Sequence, residues 1–80
     1  MAKTWTYKYG EDTIKVVNKD FEGSEMYIND ALCDQNNGIS FSDNLSGVLK
    51  NGETVKASLG GTFKMKCSLF VNGVLQEPAE

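Results

Sequence analysis

Between Phe63 and Val71 every second residue is apolar: Phe63, Met65, Cys67, Leu69 and Val71. Thr62, Lys64, Lys66 and Ser68 fill the other phase, which only Phe70 breaks. Successive side chains of a strand point to opposite faces, whereas a helix returns to one face about every 3.6 residues. As a helix this run would scatter its apolar side chains around the axis. It therefore predicts a long strand with one oily surface, which a second layer must cover.

The same period recurs upstream. In Thr4–Tyr9, Trp5, Tyr7 and Tyr9 oppose Thr4, Thr6 and Lys8. After Gly10-Glu11-Asp12, Thr13–Lys19 sets Ile14 and Val16 against Val17, so the two stretches read as a hairpin. Val55, Ala57 and Leu59 share a face further on. Ile39-Ser40-Phe41 reads as a short strand, and Ser42-Asp43-Asn44 as the start of a 3₁₀ turn. Turns are predicted at Asn29-Asp30, Asn51-Gly52 and Asn72-Gly73, because Asn, Asp and Gly tolerate the positive φ of tight hairpins. Residues 28–35 admit a helical turn as a rival, but no apolar stripe continues it and QNNG ends it.

Together these segments predict an all-β chain, a small antiparallel β-sandwich or partly open barrel of about seven or eight short strands joined by tight hairpins. An 80-residue chain fits one domain, read as residues 1–76 with a polar tail at 77–80. Within it a phrase occurs twice. MYINDALCDQ (Met26–Gln35) resembles LFVNGVLQEP (Leu69–Pro78), with Met26 matching Leu69, Tyr27 Phe70, Ile28 Val71, Asn29 Asn72 and Leu32 Leu75. Short-looped hairpins all need this grammar, so the sequence favours local convergence over an ancient duplication.

Composition narrows the chemistry. The absence of His removes imidazole catalysis and histidine-bearing zinc sites. Cys33 and Cys67, with 33 residues between them, read as reduced core or edge thiols, although a single bridge stays open. Asp30, Asp34, Asn36 and Asp43 offer hard oxygen ligands, but the glycine after Asp34 comes one place early for a calcium loop and no Glu stands at its twelfth position. Ordinary Asx-turn chemistry accounts for them, so no metal and no cofactor is expected. Eight Lys and no Arg against eleven acids give a net charge of -3, which disfavours nucleic acid. No apolar run is long enough to span a bilayer, and the N-terminus lacks a signal-peptide core, so cytoplasmic residence is the default.

What remains is a binding role, with an enzyme the least favoured class. The expectation is a non-catalytic module for protein association or self-association, with itself as a homodimer partner among the candidates. Trp5, Tyr7, Tyr9, Tyr27 and Phe70 are the candidate contact residues, and the first strand is the candidate edge for strand addition. The alternative is carbohydrate binding on exposed aromatics, which needs those rings in a groove.

Overall fold

A computed structural model describes residues 2–19, 22–38, 42–61 and 64–79. The chain is all-β. Eight strands run in order: β1 (Lys3–Tyr9), β2 (Asp12–Asn18), β3 (Ser24–Ile28), β4 (Ala31–Asn36), β5 (Ser42–Val48), β6 (Thr54–Gly60), β7 (Lys66–Val71) and β8 (Val74–Gln76). They form two four-stranded antiparallel meanders, β1-β2-β3-β4 and β5-β6-β7-β8. The inward phases meet in one core. Tyr7, Ile14, Val16 and Met26 come from the first sheet, and Leu45, Val55, Ala57, Leu59, Leu69 and Val71 from the second. Each large side chain buried here contributes about 1.5–3 kcal/mol.

The turns follow from their residues. Asn29 and Asp30 have φ of 50° and 68°, and Asn72 and Gly73 have 50° and 78°, so both hairpins reverse through two left-handed residues, as a type I′ turn requires. Asn51-Gly52 is different. The Gly52 amide donates to the Leu49 carbonyl at 2.9 Å and the Leu49 amide to the Glu53 carbonyl at 2.9 Å, giving a longer loop with one positive φ, at Gly52. Residues 28–35, the rival helical turn, are the β3–β4 hairpin. Ser42-Asp43-Asn44 opens strand β5 and not a 3₁₀ turn, because Asp43 and Leu45 must point inward together. The alternating run is a strand only from Lys66. Phe63 lies outside the described residues, as do Phe21 and the Ile39-Ser40-Phe41 stretch.

The sheets repeat one another residue by residue. Across the first, Thr6, Lys15, Tyr27 and Leu32 stand in register; across the second, Ser46, Lys56, Phe70 and Leu75 do. The Asn29 amide donates to the Thr13 carbonyl at 2.8 Å, and its side chain accepts from the Thr13 amide at 2.9 Å and donates to Asp12 at 2.8 Å. Asn72 repeats all three, to the Thr54 carbonyl at 2.9 Å, from the Thr54 amide at 3.2 Å and to Glu53 at 2.8 Å. Local hairpin grammar does not reach this far. The repeat covers four strands, so convergence of a single hairpin does not account for it.

The first strands of the two meanders, β1 and β5, have their outer edges closed differently. Asp34 of β4 accepts from the Ser46 amide of β5 at 2.8 Å, and Asn36 donates to the Asn44 carbonyl at 3.3 Å. Side chains of β4 thereby occupy the exposed backbone of β5. On β1 the Thr6 carbonyl accepts from the Ala79 amide at 2.7 Å, so the segment read as a polar tail lies along that edge. Occupied edges resist strand addition by other chains.

Candidate functional site

The first aromatic row faces inward. Tyr7 is 1% exposed, while Trp5 and Tyr9 are partly buried against the same core. The Tyr9 hydroxyl donates to Glu53 at 2.8 Å, tying the first sheet to the β5–β6 loop. Lys3 sits 5.3 Å from the centre of the Trp5 ring. These rings hold the two layers together and form no open platform. Tyr27 and Phe70, the other two contact candidates, lie half-buried on the outer faces, one on each sheet.

The turn residues do structural work. Asn29 and Asn72 brace their hairpins, Asp30 stands 3.9 Å from Lys15, and the Asn51 side chain accepts from the Glu53 amide at 2.9 Å. Gly52 and Gly73 supply the left-handed geometry already described. Asp30, Asp34 and Asp43 do not converge: they serve Lys15, the Ser46 amide and Ser24 respectively. Among the described residues no group of three or more acidic or thiol side chains is arranged to hold a metal.

Both cysteines are free thiols. Leu32 pairs with Tyr27 and Asp34 with Met26, which leaves Cys33 as the extra residue of a β-bulge. Its thiol donates to the Met26 carbonyl at 3.3 Å. Burial, then the Asp34 carboxylate, pushes its pKa up, and burial does the same for Cys67. Neither thiol is activated as a nucleophile.

A buried polar chain crosses between the layers. Asn18 donates to the Ser24 hydroxyl at 3.1 Å, and Ser24 donates to Asp43 at 2.8 Å; all three are under 9% exposed. Residues of β2, β3 and β5 are thus fixed in one geometry. Its members are bonded to one another inside the fold, which suits anchoring of the layers.

The outer face of the second sheet is unlike the rest of the molecule. The outward phase of β5–β8 carries Asn44, Ser46, Lys56, Ser58, Lys66 and Phe70 together with further hydroxyl and apolar residues, and no carboxylate. Lys56 and Lys66 have no acidic partner among the described residues. Asn44, Ser46, Lys56, Ser58 and Phe70 line a shallow depression of about 410 Å³. Beside it Leu75 and Val48 are 56% and 63% exposed. A cation, a half-buried ring and amide and hydroxyl groups therefore converge on one open surface.

Sequence reasoning named Phe70 but passed over Lys56 and its neighbours. The signal was present: Asp12-Thr13-Ile14-Lys15 recurs as Glu53-Thr54-Val55-Lys56, upstream of the phrase that drew attention. No known protein family matches the chain, and no curated protein or solved structure shows significant similarity to it.

Proposed function

We propose that this protein is a non-catalytic protein-association module whose recognition surface is the outer face of the second sheet. One observation carries the reading: in a chain of net charge -3, this face holds two lysines, an aromatic ring and exposed aliphatic residues with no acid among them. Aromatic and aliphatic surface supplies contact area, and unpaired cations supply orientation and specificity. Two copies meeting through this face would bring Lys56 and Lys66 of both into one interface with no strand carboxylate of that face to pair them, which costs energy. A different protein surface is the better fit.

The carbohydrate reading loses its main support, since the Trp5, Tyr7 and Tyr9 rings are turned into the core. The free thiols favour a reducing, cytoplasmic setting. Among the described residues no helix is long and apolar enough to cross a membrane.

Mass measured by light scattering from low to high micromolar concentration tests the self-association arm. Mass independent of concentration is expected for the wild type. A dimer that the paired substitution Phe70→Ser, Leu75→Ser abolishes would replace the hetero-association reading with a homotypic one.

A further inference from the structure

Comparison of the two sheets identifies the group missing from the second. On the first outer face the row Thr6–Lys15–Tyr27–Leu32 is served by acids of its own chain. Asp30 lies 3.9 Å from Lys15, and Glu25 accepts from the Tyr27 hydroxyl at 2.7 Å and from Lys19 at 3.0 Å. In the second sheet Gly73 takes the place of Asp30, Ser68 that of Glu25, and Phe70 that of Tyr27. Every internal carboxylate of the first face has been replaced. The lysine and the ring remain.

We infer that Lys56 receives a carboxylate from an extended acidic segment of a partner protein, laid across β5–β8 with its apolar side chains on Phe70 and Leu75. This inference rests on the association reading and names the partner's chemistry. The first sheet satisfies the same lysine position with Asp30, the second keeps a depression there, and the Asp34 carboxylate at its margin is taken up by the Ser46 amide. An extended segment fits the flat, open surface, because alternate side chains of a strand reach one face and can present acid and aliphatic groups together. Each contact is exposed and screened by salt, so binding is expected to weaken as salt rises.

The test uses an acetylated, amidated peptide, Glu-Ser-Leu-Ser-Glu-Ser-Leu, and its Gln-for-Glu counterpart, each titrated into the labelled protein with backbone amide signals as readout. The acidic peptide is expected to shift Ser46, Lys56, Ser58 and Phe70 saturably, and the Gln peptide to bind at least about tenfold more weakly. Gly73→Asp restores the carboxylate that the first sheet carries at Asp30, whose φ of 68° is close to the 78° of Gly73, so the turn tolerates it. This variant should stay folded, with a melting temperature lowered by at most about 5 °C by the left-handed position, and lose at least about fivefold in affinity for the acidic peptide. Equal binding of both peptides at this face would overturn the carboxylate inference and leave the association reading standing. If neither peptide moves these signals, both fall.

Discussion

Tyr7 in the first sheet holds the register position that Gly47 holds in the second: Tyr7 pairs with Ile14, and Gly47 with Val55, at matching points of the two meanders. The repeat is therefore unequal at its centre. The Tyr7 ring fills the interior, while a Cβ on Gly47 would come within 2.9 Å of the Cys33 thiol and 3.0 Å of Ile28. One half supplies bulk and the other yields space. The Tyr7 hydroxyl is carried inward without a hydrogen-bond partner of ordinary geometry, the Cys67 thiol being the polar group that acts on it.

That hydroxyl yields the first prediction. Burial raises the Tyr7 pKa far above that of a free phenol. The neutral form is thus favoured in the fold, so this contribution to stability is complete below about pH 10 and is lost as pH climbs beyond it. Hydrogen bonds to Glu53 and Glu25 raise Tyr9 and Tyr27 in the same direction. Tyr7→Phe removes a buried unpaired group, so it should leave stability at pH 7 unchanged or higher by up to about 1 kcal/mol. It should also make the alkaline loss shallower without abolishing it. Urea unfolding from pH 7 to 11 measures both, and a loss above about 1 kcal/mol at neutrality would contradict it.

Much of this architecture is legible in the residues. Period two in Trp5–Tyr9, Ile14–Val16 and Val55–Leu59 marks the inner face directly, because burial of one side is what alternation records. The Asn-led turns are equally local. Pairing between sheets is not. Nothing near Asp34 in sequence shows that its carboxylate binds the amide of Ser46, and nothing near Asp43 that Ser24 waits inside for it. The candidate face is legible only by halves. Lys56 and Phe70 fall on one outer row through register across three strands, and the lack of acids there becomes visible once all outward phases are aligned.

Ser24 is the middle link of the buried chain, accepting from Asn18 and donating to Asp43. Ser24→Ala removes little volume but takes from Asp43 a hydroxyl donor inside the fold. A buried polar group left without its partner costs about 1–3 kcal/mol. A loss in that range is expected in urea unfolding at pH 7. A change under about 0.5 kcal/mol would show that the chain adds no stability.

Gly23 and Gly10 both have positive φ, 100° and 61°, yet their surroundings differ. A Cβ on Gly23 would stand 1.9 Å from the Asn36 backbone oxygen, whereas around Gly10 nothing lies within 4 Å. Backbone cannot swing aside as a side-chain end can. Gly10→Ala should therefore cost about 1 kcal/mol from conformation alone. Gly23→Ala should cost more than about 3 kcal/mol, because the β3–β4 pairing must open to admit it. Melting temperatures of the two variants in one buffer give the comparison, and equal values would refute the steric argument.

The Ala79 amide donates to the Thr6 carbonyl at 2.7 Å, on the side of β1 that does not face β2. On β5 the matching edge is occupied by Asp34 and Asn36, which are internal to the chain and stay when its end is removed. Deleting residues 77–80 should therefore uncover one edge and leave the other closed. An open edge strand recruits other strands. The shortened chain is expected to keep its circular-dichroism spectrum and to show a larger mass by light scattering than the full chain at equal concentration. Substituting Thr6 by Pro in the shortened chain removes no hydrogen bond of that edge beyond its own amide, but bends the strand away from a flat template. It should return the mass toward that of the full chain. A shortened chain with unchanged mass at every concentration would mean that the β1 edge is closed by something other than its own C-terminal segment.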